Sequence, residues 1–233
     1  MSLEADLEKE VTDIFKGIWT TRKGEKVPDP EDLGLGNDAV ELQATVLYAD
    51  MSDSTDLVDN YKVEFAAEVY KAYLRCAARI IKSEGGSITA YDGDRIMAVF
   101  IGDTKNTTAA RTALKINYAV QKIVNPLLKK QYPKSTYEVK HVVGIDTSDL
   151  FVARIGVRND NDLVWVGRAA NYAAKLSSLN GQYRTYITQA VFDMMHNDAK
   201  YNGTPKRLMW NKQVWTAKKN IPIYGSTWWW PLD

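Results

Sequence analysis

Tyr48-Ala49-Asp50-Met51-Ser52-Asp53-Ser54-Thr55 and Tyr91-Asp92-Gly93-Asp94-Arg95 are the two stretches on which the reading of this chain turns. Each places an aspartate, Asp50 or Asp94, on a short strand-like run beside a turn. Two carboxylates on paired strands can hold divalent cations against a triphosphate. Magnesium and manganese want oxygen ligands, take one or two protein carboxylates, and fill their other positions with phosphate oxygens and water. The pair points to phosphoryl chemistry.

Working outward, Gln43 to Ala49 predicts a strand, and residues 51–55 a polar turn in which Ser52, Ser54 or Thr55 caps the next helix and leaves its first N–H groups open to an anion. A long helix follows over roughly 60–84, with Phe65, Val69, Tyr73, Cys76 and Ile80 on one side and Gly85-Gly86 as its stop. Ser87 to Tyr91 and Ile96 to Ile101 form a hairpin around Asp92-Gly93-Asp94. A second long helix runs from near Asn106 to Gln131, and Pro126 kinks it or starts its last segment. Tyr137 to Asp146 and Leu150 to Ile155 read as a strand pair, and a helix carrying Asn171 and Lys175 follows Gly167. Tyr183 to Ile187 is a strand, Gln189 to His196 a short helix, and residues 207–229 a closing strand pair. Before all of these, Leu3, Leu7, Val11, Ile14, Phe15 and Ile18 sit at helical spacing, and Gly24, Pro28, Pro30, Gly34 and Gly36 then make a loop. The expected organisation is an extension over residues 1–40 and one domain over 41–233, an α+β sandwich with helices over a mostly antiparallel sheet.

Composition sets limits on partners. The chain has 233 residues, 45% of them hydrophobic and 25% charged, with a net charge of +1. That balance is ordinary for a soluble globular protein, and it argues against a nucleic acid or membrane surface held by bulk electrostatics. Any anion must be held locally. A single cysteine, Cys76, excludes a disulfide framework and fits a reduced, cytoplasmic setting. The first ten residues show no secretory signal, and no apolar run reaches membrane-spanning length. Asp50, Asp53 and Asp56 lack the Gly and closing Glu of a calcium loop, and His141 and His196 lack metal-ligand spacing. The run Trp228-Trp229-Trp230 reads either as a partner surface or as a strand end packed under the N-terminal extension.

A third segment completes the pattern: Val164-Trp165-Val166-Gly167-Arg168-Ala169-Ala170-Asn171-Tyr172-Ala173-Ala174-Lys175-Leu176. With the three segments in this order, residues 42 to 225 resemble the class III nucleotide cyclases, whose pattern is aromatic-x-Asp, then Gly-Asp in a hairpin, then Gly-x-x-x-Asn-x-x-x-Arg on a helix. The resemblance implies a ferredoxin-like-derived sandwich that converts a nucleoside triphosphate to a 3',5'-cyclic monophosphate and pyrophosphate. It also implies that Asp50, Asp94 and the backbone carbonyl of Met51 hold two Mn2+ or Mg2+ ions per site. Asn171 matches the residue that orients the ribose, and Lys175 stands where the family has an arginine. Lysine keeps the charge but loses the planar fork. Because the family takes its carboxylates and its Asn/Arg helix from different protomers, a homodimer with composite active sites is implied.

Base choice is legible by departure. In the family, purine-reading residues stand where this chain has Ala90 and Val164, and neither side chain can hydrogen-bond a purine edge. Tyr48 lies two residues before Asp50, on the same strand face, and Arg95 directly follows Asp94. Two bulky side chains shrink the pocket to pyrimidine size, and a guanidinium offers donors to the carbonyl oxygens of uracil or to O2 and N3 of cytosine. In this the chain looks like the pyrimidine cyclases of bacterial Pycsar anti-phage defence, which implies cyclic UMP as product and a separate downstream effector protein. Cytidylate, adenylyl or guanylyl cyclase activity, and a non-catalytic nucleotide-binding module, remain the alternatives at this point.

Overall fold

The computed structural model describes residues 2–179 and 182–232. The chain packs as two compact units, one taking residues up to Gln43 with Asp149–Gly167, the other Ala44–Ser148 with residues from Arg168 onward.

In the smaller unit, helix α1 (Leu3–Lys16) is capped by the Ser2 hydroxyl and ends at Gly17, earlier than the apolar spacing through Ile18 suggested. Between that helix and the expected loop from Gly24 lies strand β1 (Thr20–Lys23), which pairs in parallel with the first residues of β2 (Asp38–Ser52), Thr20 opposite Asp38. Strand β5 is continuous over Lys140–Val157, so Tyr137–Asp146 and Leu150–Ile155 are not a strand pair. Thr147 causes the misreading. It looks like turn material, yet its hydroxyl is buried and donates to the Ala44 carbonyl, so the polar residue is satisfied inside the sheet. The true partner of the second half of β5 is β6 (Asp160–Val166), through a turn with Asn159 at φ 70°. Trp19 packs edge-on against Phe151 with ring centroids 4.9 Å apart.

The larger unit carries the strand order β10-β11-β7-β5-β2-β4-β3, where β3 is Ser87–Asp92, β4 Arg95–Phe100, β7 Thr185–Thr188, β10 Asn211–Trp215 and β11 Ile221–Ser226. A separate small hairpin, β8 (Tyr201–Asn202) with β9 (Arg207–Leu208), was not foreseen. β7 runs parallel to β5, and the other registered pairs in this unit are antiparallel. The helix expected over 60–84 is α3 (Val63–Ser83), and a short helix α2 (Ser54–Asn60) precedes it. The capping expectation fails, because Ser52 ends β2, Ser54 is already helical, and the N-cap is Asp53 at φ 61° with no side-chain capping bond. The second long helix is α4 (Lys105–Ala119), a π turn at Val120–Val124, and α5 (Asn125–Gln131), with Pro126 in its first turn as its missing N–H permits. Helices α6 (Arg168–Ser177), α7 (Gln189–Met194) and α8 (Asn197–Lys200) complete the unit.

The sheet of this unit has two different faces. Leu47, Ala49, Ile96, Ala98, Phe100, Val143, Ile145 and Ile187 form one core with α3 and α4 residues such as Tyr73, Ala77, Ile81, Ala113 and Ile116. Full burial of side chains like Leu47 and Ile96 is worth about 1.5–3 kcal/mol each. Residues of opposite parity, Val142, Tyr186 and Ile223, pack with Leu176 of α6 and Trp215. Helix α6 therefore lies across the sheet from α3 and α4. The Trp228–Trp230 run is tied to α4: Asn117 donates to the carbonyls of Thr227 and Trp228, and the Trp230 amide to that of Leu114.

His141 lies under α3 with its ring 5.9 Å from that of Tyr73, and both its nitrogens are buried without a hydrogen-bond partner. Burial, aided by the charge of Arg184, lowers its pKa from 6.5 to about 3. Between those values the unfolded chain binds a proton that the folded chain does not, so stability falls as pH drops below about 6.5. Denaturant titrations at pH 8 and pH 5 should show the wild type losing about 2 kcal/mol more over that interval than His141→Leu.

Candidate active site

The site starts from strand register. Asp50 of β2 stands opposite Arg95 of β4, which stands opposite Asp92 of β3, so the three form one row on one face of the sheet. Tyr48, Met97 and Ala90 form the next row on that face. It is the face turned away from α3 and α4, because Leu47 and Ala49 point into their core. Met51, next to Asp50, is buried near the end of β2.

Asp94 follows Gly93, whose φ of +59° makes the hairpin turn. Burial raises the pKa of Asp50 from 3.8 to about 6, the Asp94 charge adds to the rise, and Arg95 only partly opposes it. The Oδ2 atom of Asp94 is buried without a hydrogen-bond partner. So is the hydroxyl of Tyr73, whose pKa is raised by burial and by both carboxylates. Two mutually repelling, half-desolvated carboxylates with an unsatisfied oxygen suit a divalent cation. Among the described residues no group of three or more His, Cys, Asp or Glu side chains is placed to hold a metal. The pair thus fits an ion whose remaining ligands come from elsewhere, as phosphate oxygens and water do for magnesium.

The structure brings Tyr48 and Arg95 together. The Arg95 guanidinium lies 5.6 Å from the Tyr48 ring centroid, within cation–π range, while its Nη2 donates to Asp92 Oδ2 at 2.7 Å. Ala90 borders this row, but Val164 lies on β6 opposite Ala153, in the smaller unit.

Asn171 and Lys175 are one turn apart on α6, whose position is set by three local facts. Gly144 lets the helix touch the sheet, since a Cβ there would stand 2.1 Å from the Ala173 carbonyl oxygen. Arg168 donates to buried Asp146 at 2.9 Å and to the Thr147 carbonyl at 2.6 Å, and Thr188 donates to Asp146 at 2.5 Å. The Ala169 amide donates to Ser148 Oγ at 2.9 Å. Sequence reasoning missed Lys218, whose ammonium lies near that of Lys175 and lowers the Lys175 pKa. Lys218 Nζ also lies 5.5 Å over the Tyr172 ring, and Arg168 Cζ 5.8 Å from it. Only the dibasic pair Lys218-Lys219 could have signalled this. Acidic and basic groups thus share one sheet face but sit on different parts of it, the carboxylates over β2, β4 and β3 and α6 over β5, β7 and the strands beyond.

No family model matches the chain. Over 234 residues, all of this chain and all of the relative, it is 52% identical to the uridylate cyclase of Xanthomonas perforans. The chain belongs to the uridylate cyclase family. The uridylate cyclase of Burkholderia cepacia is also 52% identical over 100% of both chains, and that of Rhodovulum sp. 37% over 98% of both. Solved structures confirm a class III cyclase fold. An adenylyl cyclase of P. aeruginosa aligns with a TM-score of 0.67 at 20% identity, over 81% of this chain and 95% of that one. The guanylyl cyclase Cya2 aligns with a TM-score of 0.67 at 18% identity, over 80% and 92%.

The seat of α6 gives a direct prediction. Gly144→Ala should lower the unfolding free energy by about 1–3 kcal/mol, read by denaturant titration, because the new methyl meets helix backbone that cannot rotate away.

Proposed function

We propose that this chain converts UTP to 3',5'-cyclic UMP and pyrophosphate, in a homodimer whose two active sites each draw on both protomers. The observation that carries the reading is the row of Asp50 and Arg95 with Tyr48 beside it: a carboxylate suited to a cation, next to a guanidinium held over an aromatic ring. Full-length likeness to uridylate cyclases supports the same substrate.

The reaction forms a bond from the ribose 3'-oxygen to the α-phosphorus, breaks the bond from that phosphorus to the bridging oxygen of the β-phosphate, and releases the hydroxyl proton. Asp50, Asp94 and the Met51 carbonyl would hold two Mn2+ or Mg2+ ions, which supply the charge that acidifies the hydroxyl and gathers the phosphates. Asn171 orients the ribose, so that attack and departure stay in line. Lys175 and Lys218 meet charge on the phosphates as point donors, without the bidentate fork of an arginine. Tyr48 closes the pocket to pyrimidine width, and Arg95 donates to a uracil carbonyl, where the amine of cytosine would offer no acceptor.

The placing of charges supports composite sites. Carboxylates and lysines lie on different parts of one face, so a second copy, turned head to tail, sets each lysine helix over the partner's carboxylates and completes two sites. Membership in phage-defence signalling through a separate effector protein rests on the Pycsar resemblance. No described helix is long and apolar enough to cross a membrane.

Incubation with ATP, GTP, CTP and UTP plus manganese, with products identified by mass, should give cyclic UMP as the dominant product. Asp50→Ala and Asn171→Ala should each be inactive, and their equimolar mixture after subunit exchange should recover about a quarter of wild-type activity, since half of the dimers then hold one intact site. Activity confined to the separate monomers would overturn the composite site. Because Asp50 titrates near pH 6, Mn2+ affinity measured by calorimetry should fall about tenfold from pH 7 to pH 5 as the carboxylate protonates.

A further inference from the structure

We propose that Asp92 is a specificity residue that reads the N3 position of the pyrimidine, acting with Arg95 to accept uracil and reject cytosine; this deepens, and rests on, the uridylate cyclase reading. Asp92 stands directly across β4 from Asp50, with Arg95 between them, so the three side chains share one face. Its Oδ2 receives Arg95 Nη2 at 2.7 Å, while the Asp92 side chain is 76% exposed and that of Arg95 30%. The ion pair therefore has an open edge. At that exposure it adds little to the stability of the fold.

The edge offers donors from the guanidinium and an acceptor from the carboxylate, side by side. Uracil presents O4, then N3–H, then O2: an acceptor, a donor and an acceptor in adjacent positions. Arg95 on either carbonyl puts the Asp92 carboxylate against the N3–H, and both hydrogen bonds are made. Cytosine presents an amine, then an unprotonated N3, then O2. Arg95 on O2 then sets the carboxylate against the N3 lone pair, and Arg95 at position 4 meets another donor. The matched arrangement for cytosine, with Asp92 on the amine and Arg95 on N3, exchanges the two residues relative to uracil held by Arg95 at O4 and slides both by one ring position relative to uracil held at O2. A ribose anchored for in-line attack forbids either change. Tyr48, under the guanidinium, fixes which side of Arg95 the base can approach. The carboxylate has a second effect, since its bond to Nη2 holds Arg95 in the orientation that the base meets.

The test is the ratio of kcat/KM for UTP to that for CTP in wild type, Asp92→Asn and Asp92→Glu, beside equilibrium binding of the unreactive 3'-deoxy-UTP and 3'-deoxy-CTP. An amide at position 92 can turn a donor toward the cytosine N3, so Asp92→Asn should lower the UTP:CTP ratio at least about tenfold, mostly through KM. Its affinity for the 3'-deoxy-CTP should rise relative to the uridine analogue. Asp92→Glu keeps the acceptor and should retain the preference for UTP. An unchanged ratio in Asp92→Asn, with wild type making cyclic UMP, would overturn the role of Asp92 and leave the cyclase reading standing. No cyclic UMP from wild type would instead remove the reading on which the inference rests. Equal losses for both nucleotides, with an unaltered ratio, would reduce Asp92 to a structural partner of Arg95 and also overturn the proposal.

Discussion

The two-residue period of strand β2 is the constraint on which the rest depends. Leu47 and Ala49 are fully buried against α3 and α4, and Tyr48 and Asp50 consequently face the other way. A slip of one residue would bury the Asp50 carboxylate under α3 and expose Leu47. The desolvation of a carboxylate alone outweighs what any single apolar side chain could regain. The core therefore fixes the register, and the register places Asp50 opposite Arg95 and Arg95 opposite Asp92. Precision in the polar row is inherited from packing on the far side of the sheet.

That row is electrostatically unbalanced by construction. Arg95 is engaged by Asp92 at 2.7 Å, leaving its charge only partly available to Asp50. Burial, with repulsion from Asp94 added, wins, which is why the Asp50 carboxyl is raised to about 6. A network built for stability alone would pair each carboxylate with its own cation. Here the buried Asp146 shows the contrast, held by Arg168 and Thr188 and serving to seat α6. Asp146 is satisfied and structural, whereas Asp50 and Asp94 repel one another, as the proposed cation site requires.

Legibility in the sequence followed the range of the interactions involved. The Asp92-Gly93-Asp94 hairpin was readable because an Asp-Gly turn is a local signal, and the break in the long helix near Pro126 because a missing N–H is one too. The continuity of β5 was not, since the polarity of Thr147 is cancelled by a carbonyl on another strand. Nor was the cap of α2, where Asp53, in a left-handed conformation, takes the place expected of Ser52, Ser54 or Thr55. Asp50, Asp94, Asn171 and Lys175 could be singled out as candidates from motif order, Tyr48 from strand parity and Arg95 from its place directly after Asp94. Lys218 and the pairing of Asp92 needed the fold, because 43 residues separate Lys218 from Lys175, and a turn aspartate looks the same whether or not it holds an arginine.

Lys218 changes the meaning of lysine at position 175. A single ammonium in place of a guanidinium loses the two parallel donors that suit a phosphate edge. Two ammoniums side by side restore the number of donors and approach the anion from separate directions. Their mutual repulsion is the cost, visible in the lowered pKa of Lys175, and an anion placed between them removes it. The Tyr172 face beneath Lys218 and Arg168 steadies this concentration of positive charge without neutralising it. On the proposed reading the lysine pair and the aspartate pair are opposite halves of one problem: each holds like charges together at a cost that would fall with a triphosphate and its cations set between them.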